Sequence, residues 1–325
     1  MMEIPLRHES EKQVLTISSQ TCHIGGIIVV IYGLEEIRDT CKSVSCLWLL
    51  HPRLKTKDTM SNVASSCVID WNSRPSSERR GLIAVSFDQR NHGSREIKPE
   101  ANQSWKKGNK NHAIDSTLNG TAIDVSFLID HLGSYILNHQ GAPEINHHLV
   151  LGVSLGGHSA WQVLFRDKRI TAGVVIIGSP DYISLMSNRA QLSHRESAGQ
   201  TFLCSSDFPS ELIKTILQWD PRGIIFGIAE VMVNPDQVHH SSLSNILDSK
   251  VKGKRILVCS GGEDKLVPYH CNEPMFEFFR NAASGWYSEK NFRLEEIIYP
   301  GVGHIFDDRM LKDSTRFVSE CLLEL

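Results

Sequence analysis

The sequence predicts an α/β fold: a mostly parallel central sheet with helices on both faces and an inserted helical cap. Three observations lead there. Short apolar runs of strand length alternate with stretches of helical periodicity. One such run, His148–Val153, enters a glycine-rich turn with a helical pattern directly behind it. The stretch from Tyr182 to Lys250 breaks the alternation and exceeds an ordinary connection of about 2–6 residues.

The elements follow in order. Val14–Ile17 and Ile27–Tyr32 are expected as two early strands, an antiparallel pair joined through Ser18–Gly26. Cys46–Leu50 is apolar throughout and reads as a buried strand. Met60, Val63, Ala64, Cys67, Val68 and Trp71 follow helical spacing. Ile83–Phe87 is the next strand, and the polar segment Lys98–Asn111 reads as a surface excursion. A helix over Ile114–Asn138 leads to the strand His148–Val153, and Ala172–Ile177 is another strand. Helical pieces are expected at Ser210–Trp219 and Ile224–Met232 within the insertion. Arg255–Cys259 and Leu294–Ile298 are the last strands, and Phe306–Leu323 closes the chain as a helix. The domain organisation expected is a core in two parts, 1–181 and 251–325, interrupted by a helical cap over 182–250.

Composition narrows the functional classes. The chain has 325 residues, 41% hydrophobic and 22% charged, enough apolar material for a large core. That excludes a disordered chain, a fibre and a disulfide-stapled miniprotein. A formal net charge of −3 provides no basic field for nucleic acid or an anionic membrane. The N-terminus lacks a basic stretch followed by an apolar one, and no apolar run approaches the roughly 20 residues of a membrane span. Eight cysteines occur without a C-x-x-C, as expected of free thiols in a reducing compartment. The expected location is the cytoplasm.

The sharpest motif is Gly152-Val153-Ser154-Leu155-Gly156-Gly157. A G-x-S-x-G between strand and helix forms a tight turn that presents a serine hydroxyl. Gly152 and Gly156 let the two elements approach closely. The helix N-terminus behind Ser154 offers free N–H groups, and the Leu155 N–H would face a developing oxyanion. A serine needs a positioned base. Two later loops supply candidates in the order acid, then histidine. Ser260-Gly261-Gly262-Glu263-Asp264 follows one strand, and Tyr299-Pro300-Gly301-Val302-Gly303-His304 follows the next. His304 would take the Ser154 proton, and Asp264 would orient its ring; the adjacent Glu263 is the competing acid.

These segments together resemble the α/β-hydrolase superfamily, from the strand before His51 to the terminal helix. Asp88-Gln89-Arg90-Asn91-His92-Gly93 is similar to that family's D-x-R-G-x-G turn, with Asn91 in place of the first glycine. The resemblance implies that this turn supports the floor of the site and that His92 is not a ligand. It also implies a second oxyanion donor in the loop after Cys46–Leu50, which reads His51-Pro52-Arg53-Leu54. Pro52 has no N–H, so Arg53 is the donor by position and Leu54 the fallback. His51 and Leu54 are expected at the substrate. The Arg53 side chain either points to solvent or meets an anionic substrate group.

No cofactor is implied. No G-x-G-x-x-G follows a strand, and neither G-x-x-x-x-G-K-[ST] nor H-E-x-x-H occurs. Adjacent His147-His148 and His239-His240 are poor chelators, so no metal site is expected. Lys106, Lys107 and Lys110 form a small solvated cluster, too sparse for nucleic acid. His158 stands one helical turn after Ser154, near the site but not in it. The expected activity is hydrolysis of a small-molecule acyl bond through Ser154, His304 and Asp264. An ester is favoured over a thioester or amide. A serine at the turn disfavours dehalogenase and epoxide hydrolase chemistry, whose enzymes in this family carry an aspartate there. Two other readings stay open: a lyase using the same three residues, and a non-hydrolytic small-molecule receptor.

Overall fold

The structure, a computed structural model, describes residues 17–103, 111–137 and 140–325. Eight strands lie in one sheet among them: β1 (Ser19–Ile24), β2 (Ile27–Tyr32), β3 (Ser43–Leu50), β4 (Arg80–Phe87), β5 (Glu144–Val153), β6 (Ile170–Ile176), β7 (Arg255–Gly261) and β8 (Arg293–Tyr299). Their order across the sheet is β1-β2-β4-β3-β5-β6-β7-β8. β2 runs antiparallel to both its neighbours, and every other pairing is parallel.

Alternating side chains of β3 divide the core in two. Val44, Cys46, Trp48 and Leu50 face a cluster built with α2 (Asn111–Ile136), α3 (Leu155–Arg166), α7 (Gln237–Lys250) and α8 (Tyr269–Ser284). Leu47 and Leu49 face the other layer, made with α1 (Ser61–Asn72) and α9 (Asp308–Leu323). Trp161 of α3 anchors the first cluster, stacked on Phe276 and Phe279 with ring centroids 6.4 and 5.9 Å away.

This topology fixes where a site can form. After β3 the chain crosses to β4 on one side; after β4 it returns to β5 on the other. The loops leaving β3 and β5 therefore diverge and open a crevice at the carboxyl ends of these strands. Open α/β sheets bind ligands at such a switch point.

Two expectations need correction. The first strand is Ser19–Ile24, inside the segment expected as a connection. It pairs with β2 through the two-residue turn Gly25-Gly26, whose φ angles of 55° and 82° suit glycine. Of the expected strand Val14–Ile17, residues 14–16 lie outside the described residues, and Ile17 is not in a strand. The helix expected over Ile224–Met232 is α6 (Pro221–Phe226). Asp220 caps its start, with Pro221 at the first helical position, and Gly227 at φ 65° ends it. The lysine cluster 106–110 lies outside the described residues.

The stretch after β6 holds α4 (Tyr182–Leu192), α5 (Ser210–Trp219), α6 and α7. These helices divide between two environments. Tyr182, Leu185, Met186, Phe202, Phe208, Leu212 and Ile216 form a cluster with Leu155 and Val267. Ile225, Phe226, Leu243 and Leu247 join the main sheet core instead. No helix among the described residues is long and apolar enough to cross a membrane.

Candidate active site

Ser154 stands at the turn from β5 into α3, with φ 55° and ψ −111°. A non-glycine residue rarely adopts this backbone, so the surroundings must hold it. The Ser154 N–H donates to Ile176 O at 2.9 Å, and its carbonyl accepts from the His158 N–H at 2.9 Å. The flanking glycines are required by contact. An added Cβ at Gly152 would lie 2.0 Å from Gly156 O, and one at Gly156 would lie 2.1 Å from Leu50 O.

The loops after β7 and β8 bring the other two residues to this turn. They are joined by backbone bonds from Gly262 N–H to Tyr299 O and from Glu263 N–H to Val302 O, both 2.9 Å. Ser154 Oγ then lies 2.7 Å from His304 Nε2, and His304 Nδ1 lies 2.7 Å from Asp264 Oδ2. The other Asp264 oxygen accepts the N–H groups of Leu266 at 2.8 Å and Val267 at 2.9 Å. Burial opposes the Asp264 charge. The His304 hydrogen bond and charge, with the Val267 and Leu266 N–H groups, outweigh it and hold the pKa below the usual carboxylate value. The Asp264 side chain is 0% exposed and that of His304 20%, so the line is sealed at the acid and opens toward the serine. Glu263 is exposed, and the carboxylate hydrogen-bonded to His304 is that of Asp264.

In the β3 loop, His51 is fully buried. Its Nδ1 donates to Pro52 O at 2.8 Å, and its Nε2 accepts the Gln89 N–H at 3.0 Å. Both ring nitrogens are thus held by backbone. Burial lowers its pKa to about 4, so the ring is neutral at pH 7. Leu54 has φ 62° and is 58% exposed, at the third position of a turn closed by Lys55 N–H to Pro52 O. Arg53 is half-buried.

The Asp88–Gly93 turn lies beneath. Asp88 accepts Lys57 N–H at 2.8 Å, Ser94 N–H at 2.9 Å and Ser94 Oγ at 2.7 Å. Asn91 takes φ 60°, the left-handed conformation that let it replace glycine. Gln89, whose role the sequence did not reveal, ties the floor together. Its amide donates to His51 O, and its Oε1 accepts from Thr121 Oγ1 at 3.2 Å and Ser159 Oγ at 3.1 Å. His158 is buried, with Nδ1 accepting the Ser179 N–H at 2.9 Å. Burial and the nearby Arg189 lower its pKa to about 3.

Arg189 and Tyr182 of α4 also reach this region, although no motif marked them. Arg189 Nε and Nη2 donate to Leu266 O at 3.2 and 2.7 Å, in the loop that carries Asp264. No group of three or more His, Cys, Asp or Glu able to hold a metal occurs among the described residues.

No family model and no curated protein matches the chain. Solved structures do. TT1662 from Thermus thermophilus is 17% identical with a TM-score of 0.59, over 95% of this chain and 99% of that one. The Pyrococcus furiosus esterase Pf2001 is 14% identical with a TM-score of 0.50, over 94% and 92%. An acylaminoacyl peptidase from Pyrococcus horikoshii is 12% identical with a TM-score of 0.55, over 95% of this chain but 41% of that longer one. The fold defined by these likenesses and by the sheet topology is the α/β-hydrolase fold.

Proposed function

We propose that the protein is a serine hydrolase that cleaves a carboxylic ester of a small molecule through an acyl-enzyme. The observation that carries this reading is the hydrogen-bonded line from Ser154 Oγ through His304 to Asp264, 2.7 Å at each step, on a strained turn at the sheet's switch point.

The steps follow from that line. Ser154 Oγ attacks the acyl carbon as His304 Nε2 takes its proton. Asp264 keeps the other ring proton on Nδ1 and stabilises the imidazolium. The Leu155 N–H, in the first turn of α3 with no helical acceptor, receives the oxyanion, assisted by the Arg53 or Leu54 N–H. His304 returns its proton to the departing alcohol. A water, deprotonated by His304, then releases the acid and restores Ser154. Alcohols leave with less help than amines, which favours an ester over an amide. No cofactor takes part in this scheme. The helices over 182–250 are the proposed cap, and the α4–α5 cluster on Leu155 is the part nearest the nucleophile.

A fluorophosphonate probe tests the assignment. It should label the wild-type protein once and leave Ser154→Ala unlabelled. Labelling that survives the substitution would refute Ser154 as the nucleophile. No labelling of a folded wild type would favour a receptor.

A further inference from the structure

We propose that Arg53 and Arg189 form a subsite for an anionic group, a carboxylate or a phosphate, on the ester that Ser154 attacks. This deepens the esterase reading above and rests on it.

Two elements, α4 and the β3 loop, carry these arginines into range of one residue, Tyr182. Tyr182, Met186 and Arg189 stand at i, i+4 and i+7 on α4 and share one face. Tyr182 and Met186 pack with Leu155, next to the nucleophile, and with Val267 of the acid's loop. Arg189 is fixed there by its two bonds to Leu266 O. Arg53 arrives on the β3 loop, whose Leu50 and His51 carbonyls press against Gly156 of the serine turn. Both guanidiniums lie within electrostatic range of the Tyr182 hydroxyl, and Arg189 within range of Arg53.

Neither charge is matched. Among the described residues Arg53 has no hydrogen bond or ion pair, and the Nη1 of Arg189 faces only the Met186 sulfur at 3.8 Å. The nearby Asp264 carboxylate is already committed to His304 and two backbone N–H groups. Several other arginines of this protein have carboxylates: Arg90 and Arg95 share Asp124, Arg195 meets Asp207, and buried Arg222 faces Asp181 at 3.7 Å. Burial lowers the pKa of both Arg53 and Arg189, and for Arg189 the charge of Arg53 adds to it while Asp264 offsets it only in part. Two like charges within range of each other and without an ion pair are costly to the free protein, and a bound anion relieves both. The planar fork of arginine suits a carboxylate or phosphate oxygen pair.

The test compares matched 4-nitrophenyl esters: the neutral butyrate, the hemisuccinate and the 3-phosphonopropionate. The wild type should prefer an anionic ester over butyrate by about tenfold or more in kcat/KM, as a charged hydrogen bond allows. Arg53→Gln and Arg189→Gln should each lower that preference by about tenfold, and the lysine variants should recover part of it. A preference for the hemisuccinate alone assigns a carboxylate, and one for the phosphonate alone a phosphate. Equal kcat/KM on all three esters in a wild type that the fluorophosphonate labels overturns the subsite and leaves the esterase reading intact. A preference unchanged in both glutamine variants does the same. A wild type that neither hydrolyses any ester nor reacts with the probe overturns both.

Discussion

Asp264→Asn should lower kcat by about 10⁴-fold while KM for the same ester changes little. The size of the effect comes from a tautomer, and the structure fixes which way it goes. One Asp264 oxygen is held by the N–H groups of Leu266 and Val267. An asparagine must keep its carbonyl oxygen on those two donors, which leaves its NH₂ facing His304 Nδ1. Two donors cannot share that contact, so the ring proton moves to Nε2, the nitrogen 2.7 Å from Ser154 Oγ. His304 then has no lone pair to receive the serine proton. Glu263→Gln is the matched control, since its exposed side chain takes no part in the line, and should stay within about twofold. Ester hydrolysis measured under saturating substrate separates the outcomes. A loss smaller than tenfold in Asp264→Asn would show that His304 is oriented by something else.

The parts of this site that could be read from the sequence are those held by backbone geometry. The Ser154 turn is legible because strand, glycines and helix follow one another in the chain, and their close approach forbids side chains at fixed positions. Asp264 and His304 are legible because each lies in a glycine-containing loop just after a strand, the buried β7 for Asp264 and the partly exposed β8, with its Ile297-Ile298 pair, for His304. Arg189 is not, because its place depends on how α4 docks, and nothing local distinguishes it from a surface arginine. The same limit applies to the helices. α7 buries only Leu243 and Leu247, too thin a stripe to give a periodic signal, and Pro274 interrupts the pattern of α8. β1 was hidden for a related reason. It is an edge strand with mostly exposed polar side chains, and its informative feature is the Gly25-Gly26 turn that pairs it. His51 is another case: its ring nitrogens are engaged by backbone groups of Pro52 and Gln89, bonds that only the folded loop reveals.

Gly156→Ala should destabilise the fold by more than about 4 kcal/mol, or lower Tm by about 10 °C or more, although alanine is the better helix former. Gly156 is the second residue of α3, and helix propensity alone predicts a gain of about 1 kcal/mol for the change. Contact reverses the sign. The new Cβ would lie 2.1 Å from Leu50 O, 2.5 Å from Leu50 C and 2.9 Å from His51 O. These are backbone atoms at the end of β3, the strand paired on both sides by β4 and β5, so no rotamer change can relieve the overlap. The helix must retreat from the sheet, which unstacks Trp161 from Phe276 and Phe279 and withdraws the turn that strains Ser154. Gly133→Ala isolates the propensity term. Gly133 is also helical, in α2, but an added Cβ there meets nothing within 4 Å. That variant should be more stable than the wild type by about 0.5–1 kcal/mol. Thermal unfolding of the two variants side by side separates the terms. A Gly156→Ala protein melting within about 3 °C of the wild type would mean that β3 and α3 can move apart freely, and that the turn is held from elsewhere.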